Sequence, residues 1–370
     1  MPHVSDDDAV DLELAQIARR VEVRRVADLS RLDDLDLHVA AAVRTPLDPA
    51  SISVCAGRGP TWAVAKRNAI AEAFERYCAE PRGRLATVLS VEPPGEAITV
   101  ASLIPSRDPR PGELVEWIVG VAVRDRRPVW VPAAAVFYPY RGASWFLPST
   151  HGLAAATTWD DAVLAATLEC VERDAYTRAV ALASLGRGRQ CPPLDPEILN
   201  ADGRRWHRAA VAGGLRVVLR DLTSAIGIPT VLATIAEPVG ELIWAHRGCA
   251  AALDATTAAT RALGEAAQGR LVDIQGARED LPVERESPAP WFYLRDGEVD
   301  RPGPPPIRAD DPIGEISARL RADGCGELVA VDLSLAGVDW RAVRVVVPGL
   351  ETWAFDPSRV GARLETWCEA

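Results

Sequence analysis

The sequence predicts an α/β fold of the mixed α+β kind, and three observations carry that prediction. Apolar strand-like runs and helix-period segments interleave along the whole chain. The composition is ordinary for a globular protein, with 48% hydrophobic and 25% charged residues over 370 positions. That sets aside disorder, collagen and coiled coil, and a chain this long buries a sizeable core without staples. The seven cysteines are widely spaced and form no Cys-x-x-Cys pair, which suits reduced thiols rather than a disulfide framework.

Taken in order, residues 1–45 read as an acidic, mainly helical lead-in, and the apolar run Val39 to Val43 as the first strand. The start, MPHVSDDDAVDLE, has neither the basic residues nor the apolar run of a signal peptide, so a cytoplasmic protein is expected. SISVCAG at 51–57 reads as a second strand ending in the turn Gly57-Arg58-Gly59-Pro60. From Thr61 to Ala79 the spacing is helical, with Ala63, Ile70, Phe74 and Tyr77 sharing a side. Strand-like runs follow at 114–123 and 128–137, then a helix from Trp159 to about Ala183. Residues 215–221, 228–235 and 242–252 read as strands, and Asp254 to Ile274 as a helix. The polar, Pro- and Arg-rich stretch 276–313 reads as a surface excursion, and LVAVDLSL and VRVVVPGL as two final apolar strand-like runs.

Charge narrows the function. The net charge is −11, so a basic footprint for nucleic acid is absent. No stretch of about 18 apolar residues lacks charge, so no membrane span is expected. Acidity also weighs against a phosphate ligand, unless metal ions stand between carboxylate and phosphate.

The helices suggest such an arrangement. The first contains Asn68-Ala-Ile-Ala-Glu72-Ala-Phe-Glu75-Arg76, the second Thr167-Leu-Glu169-Cys-Val-Glu172-Arg173-Asp174, and the third Leu263-Gly-Glu265-Ala-Ala-Gln268-Gly-Arg270. Side chains three apart share a helix face, so each helix presents two oxygen-bearing groups to one spot. Carboxylates gathered from separate helices suit Mg²⁺, which takes oxygen ligands and substrate phosphates. A single Glu-x-x-Glu-Arg is ordinarily a solvated face, but apolar flanks such as Ile70, Phe74, Leu168, Val171 and Leu263 imply helices buried on more than one side. Glutamates there are costly unless paired or metal-bound. From the residues alone, both interpretations stay open. Walker, GxGxxG, GxSxG and HExxH motifs are all missing. His151 in the loop PSTHGLAAATT reads as structural, with a general base as the alternative.

These segments, in this order, resemble the YcaO family over nearly the whole chain. The similar stretches include RVADLSRLDDLDLHVAAAVR, CAGRGPTWAVAKRNAIAEAFERYC, STHGLAAATTWDDAVLAATLECVERDA, DLTSAIGIPTVLA, DATTAATRALGEAAQGR, VVVPGLE and VGARL. The resemblance implies that 46–370 is a YcaO-like catalytic domain with a non-Walker ATP site between packed helices. Carried over, Glu72, Glu75, Glu169, Glu172 and Glu265, with Asp161 where the family has a further Glu, would surround magnesium and triphosphate. Gln268, Arg173 and Arg270 would assist at the phosphates or nucleotide. Arg58 stands for the usual Lys, Asn68 for Ser, and Thr157 for Asn.

What this implies is ATP-dependent phosphorylation of a peptide-backbone amide in a ribosomally made precursor peptide. A Cys, Ser or Thr side chain then gives an azoline, sulfide a thioamide, and an amine an amidine. The expected partners are the precursor peptide and a separate peptide-presenting protein, with a homodimer as the self-association. A ubiquitin-activating-like partner would favour azolines, and a TfuA-type neighbour thioamidation. The Pro-x-Pro-x-Pro tail of many azoline-forming members is missing, the chain ending Glu-Thr-Trp-Cys-Glu-Ala. The competing interpretation is a non-catalytic ATP-binding scaffold or regulatory subunit of a peptide-modifying complex.

Overall fold

The computed structural model describes residues 6–49, 51–187, 190–239, 242–276 and 303–369. Most of the expected surface excursion, 277–302, therefore lies outside the described residues. The chain runs α1 (Asp6–Arg20), β1 (Val23–Asp28), β2 (His38–Arg44), β3 (Val54–Gly59), α2 (Trp62–Ala79), β4 (Thr87–Ser90), β5 (Val115–Ala122), β6 (Pro128–Pro132) and β7 (Leu153–Ala156). It continues α3 (Trp159–Ser184), β8 (Pro193–Leu194), α4 (Ala201–Ala212), β9 (Arg216–Asp221), β10 (Thr230–Val239), β11 (Leu242–Ala251) and α5 (Ala255–Gln275). It ends α6 (Pro312–Ala322), β12 (Val329–Asp332), β13 (Arg341–Val346) and α7 (Ala362–Glu369).

Three sheets form. One has the order β1-β2-β3, the second β4-β5-β12-β13-β7 with β6 beside β5, and the third β11-β10-β9-β8. Every named ladder is antiparallel, so the mixed α+β class holds. The lead-in contributes β1, which pairs with β2, and β2 pairs with β3 from Val43 opposite Val54 to His38 opposite Gly59. Beyond its helix, then, residues 1–45 supply two of that sheet's three strands. No helix of the described residues is long and apolar enough to cross a membrane. All seven cysteines are free, and only Cys368 is exposed.

Three helices carry the acidic motifs, and each enters from a strand through a short turn and a polar cap. The side chains of Thr61, Thr158 and Asp254 accept the amide hydrogens of Val64, Asp161 and Thr257, satisfying donors that a helix start leaves open. Alanines then line the buried faces and let the helices lie close to the strands. Ala65, Ala69 and Ala73 of α2 are fully buried in the core with Ala40, Ala42 and Cys55 of the first sheet. Helix α3 is buried almost all round, from Ala162 to Ala183. It packs on β13 and β7 of the second sheet and on β11 of the third.

Glycines set the closest approaches. A Cβ on Gly57 would lie 2.6 Å from the backbone carbon of Asn68, and closer still to Ala69 N and Ala65 O. One on Gly248 would lie 2.6 Å from Cβ of Glu265, and closer to Ala262 O and Ala266 N. Only a residue without Cβ permits β3 on α2, and β11 on α5, at these separations.

Candidate active site

The caps fix where the carboxylates fall. Glu72, Glu169 and Glu265 each stand eleven residues after their cap, at Thr61, Thr158 and Asp254. Glu75, Glu172 and Gln268 follow one turn later. Eleven residues make about three helical turns, roughly 16 Å from the start. The three strand–cap–helix units thus deliver their acidic turns to equivalent depths.

Seven of the predicted residues line one cavity of about 350 Å³: Arg58, Glu72, Glu75, Glu169, Arg173, Glu265 and Gln268. An adjoining cavity of about 510 Å³ shares Arg58, Glu72, Glu75 and Gln268, and adds Asn68, Trp206 and Thr260. Backbone amides hold the carboxylates in place. Ala56 N donates to Glu72 at 2.8 Å, Ala155 N to Glu75 at 2.8 Å, and Gly152 N to Glu169 at 3.1 Å. Arginines one turn on neutralise part of the charge, Arg76 on Glu72 at 3.1 Å and Arg173 on Glu169 at 3.3 Å. In α5 the equivalent position is Gly269, and Glu265 instead faces Arg58 at 3.8 Å. Arg58 also donates to Gln268 at 2.9 Å, while Asn68 donates to the Arg58 carbonyl at 2.9 Å.

The negative charge is under strain. Burial, then the Glu72 charge, push the Glu75 carboxyl up to about 8. Burial, joined by Glu265 and Glu169, lifts Glu172 to about 8 against the pull of Arg173. Glu265 is raised too, first by burial. About a third of its side chain is open, and it lines the pocket. One oxygen of Glu172 is buried without a hydrogen-bond partner among the described residues. Groups in this condition are suited to a divalent cation, which removes the repulsion that raises them. Among the described residues no three His, Cys, Asp or Glu side chains already close on one point.

Four predicted residues, Asp161, Thr157, Arg270 and Glu172, line neither of these two cavities. Asp161 lies in the first turn of α3, where the Thr158 hydroxyl donates to it at 2.6 Å. It lines a different cavity beside Asp160 and Asp311, eight residues and about 12 Å along the helix from Glu169. Thr157 is exposed where β7 ends. Arg270 points away, paired with Asp33 and with Glu237 at 2.7 Å, and lies over the Trp244 ring at 5.2 Å. It follows Gln268 by two residues, which turns it about 200° round the helix. Glu172 meets Arg173 at 3.4 Å at the back of the cluster and is not on the cavity wall. His151 packs edge-on against Phe355 at 4.7 Å, and burial with nearby guanidiniums keeps its imidazole neutral. Arg76, Thr150 and Arg247 line the pocket although they were not singled out as site residues from the sequence. For Arg76 the signal was present, because Arg follows Glu by four residues in both α2 and α3.

The chain is similar to known proteins over most of its length. An uncharacterized protein of Methanothermobacter thermautotrophicus is 32% identical over 94% of this chain and 94% of its own length. An uncharacterized protein from the tfuA 3′ region of Rhizobium leguminosarum bv. trifolii is 31% identical over 89% of this chain and 84% of its own. The structure of a YcaO from Methanopyrus kandleri bound with AMPPCP and Mg²⁺ matches with a TM-score of 0.71 at 27% identity, covering 95% of this chain and 93% of that one. A heterocyclase in complex with substrate and cofactor shares the fold at a TM-score of 0.71 and 19% identity, over 91% of this chain and 52% of that one. The family model described as YcaO cyclodehydratase, ATP- and Mg²⁺-binding, matches residues 56–351, and the chain belongs to this family.

Proposed function

We propose that this chain uses ATP and Mg²⁺ to phosphorylate the oxygen of a peptide-backbone amide, so that a nucleophile replaces that oxygen in a precursor peptide. The observation that carries this reading is the convergence of Glu72, Glu75, Glu169 and Glu265 with Arg58, Arg76 and Arg173 on one cavity. Phosphoryl transfer asks the protein mainly for positioning and charge neutralisation, and this cavity offers both signs of charge on rigid helices. Glu72, Glu75, Glu169 and Glu265 would hold Mg²⁺, with Glu172 behind them, and the bound ion would offset charge on the triphosphate. Arg58, Arg76 and Arg173 face the same space and are suited to phosphate oxygens in a bidentate manner. Gln268 and Asn68 orient Arg58 through the contacts described. The adjoining cavity, walled by Trp206 and Thr260, offers an aromatic face and a hydroxyl to a nucleoside.

The family description supports cyclodehydration, and the relative from a tfuA region supports thioamide formation through a TfuA-type partner. The deciding experiment incubates the protein with ATP, Mg²⁺ and the peptide encoded beside its gene, with and without the neighbouring partner protein. A loss of about 18 Da marks an azoline, and a gain of about 16 Da a thioamide. Glu72→Ala or Glu169→Ala should lower turnover about 10²-fold or more. Peptide modification at the wild-type rate by both variants would refute the assignment.

A further inference from the structure

A second, smaller cavity of about 90 Å³ adjoins the carboxylate pocket, and Arg173 lines both. Its charge is opposite. Arg173, Arg344 and Arg359 line it beside the neutral His151, and no Asp or Glu among the described residues does, in a chain of net charge −11. Arg344 is only 5% exposed. Its Nε and Nη2 donate to the carbonyls of Ala135 at 3.0 Å and Ser149 at 2.9 Å, so neither bond neutralises the charge. Its Nη1 is buried without a partner among the described residues, as are Arg173 Nε and Thr352 Oγ1.

Arg359 likewise spends its bonds on carbonyls, those of Ile104 at 2.8 Å and Leu103. Asp356 and Glu351 act on Arg359 only through space: Asp356 accepts from Leu147 N and Ser358, and Glu351 from the amides of Gly361 and Leu364. Aromatic faces fix two of the guanidiniums, Phe355 at 5.3 Å from Arg173 and Phe146 at 5.1 Å from Arg359. A buried guanidinium without a counter-charge is costly. Burial pulls Arg344 down to about 10 and outweighs the charge of Glu169, the carboxylate that acts on it from the neighbouring pocket.

We propose that this cavity is a binding site for a small inorganic anion, separate from the nucleotide site and joined to it through Arg173. Its size admits hydrosulfide or phosphate and excludes a nucleotide. Under the amide-phosphorylation reading these are an incoming nucleophile and a product. That role rests on the reading, whereas binding of the anion does not.

The test uses the intact protein in EDTA, with inorganic phosphate and sodium sulfide titrated separately by isothermal calorimetry and thermal unfolding. Saturable binding of either anion is expected. Arg344→Met and Arg359→Met should each weaken it about ten-fold or more while Mg-ATP affinity stays within about three-fold. Arg359 lies nearer the surface, so its variant serves if Arg344→Met fails to fold. Binding of phosphate alone assigns the site to product, and of sulfide alone to nucleophile. If neither anion saturates, or if the foldable variants bind as wild type does, the proposal is overturned. Anion binding by a protein that does not bind Mg-ATP would sink the functional reading and leave this site standing.

Discussion

Replacing Gly57 by alanine drives a methyl group into the backbone of α2. Ala69 N and Ala65 O would lie closest to the new methyl, with the Asn68 carbon next at 2.6 Å. Ordinary carbon–carbon contact begins near 3.4 Å, so β3 and α2 must separate by at least about 0.8 Å. No flexible side chain can absorb this, because the obstructing atoms belong to the helix backbone. Overpacking of this kind costs about 3 kcal/mol, which for a chain of this size lowers Tm by roughly 6 °C. The functional effect is larger than the stability effect. Glu72 sits one turn beyond Asn68, and its carboxylate is held by the amide of Ala56, next to Gly57. A displacement of about 1 Å in a positioning group can cost about 10²-fold in rate. The assay pairs calorimetric Tm with Mg-ATP binding and peptide-dependent ATP hydrolysis. A Gly57→Ala protein with unchanged Tm and unchanged Mg-ATP affinity would show that β3 and α2 are not in this close contact.

Other substitutions and conditions give equally definite outcomes. Arg363→Met strips Asp174, which is fully buried, of its guanidinium partner, and should lower stability by about 3–5 kcal/mol in denaturant titration. Gly269→Ala, in the interior of α5 with open space around a new Cβ, should raise Tm slightly, by about 1 kcal/mol or less in stability. Glu75 and Glu172 titrate near 8 rather than near 4.5, so between those values the folded, cation-free protein holds protons that the unfolded chain has released. Their contribution to stability therefore falls as pH rises from about 4.5 to 8. Added Mg²⁺ should raise Tm more at pH 8 than at pH 6, and an equal rise at both would contradict the raised carboxyls.

The elements that could be read from the sequence are those whose burial is one-sided or complete. Helix α3 starts at Trp159, as its spacing predicts, because Thr158 caps it and Ala and Val fill every buried turn. Strand β1 (VRRVAD) escaped because its arginines are exposed and only its partner β2 is apolar, so an edge strand looked like a polar lead-in. Helix α4 escaped for a related reason: only Gly203, Trp206 and Ala210 are buried in it, too few to mark an apolar face among its charged residues. At the site, local spacing paired the glutamates because i and i+3 neighbours share a face wherever the helix goes, and four of those paired glutamates line one cavity. Asp161 and Arg270, which the family resemblance added, share helices with these residues but lie at another depth and another rotation. The cavity holding Arg344 and Arg359 had no local signature, since β13 and the segment before α7 meet it from distant parts of the chain.

The common distance from cap to glutamate makes each acidic helix a ruler read from its first residue. One residue inserted between Thr158 and Glu169 would swing that carboxylate by about 100° and lift it by about 1.5 Å, out of reach of the other two helices. The same insertion in a loop between units would change nothing at the centre. Length is therefore free to drift between the three strand–cap–helix units and locked within them.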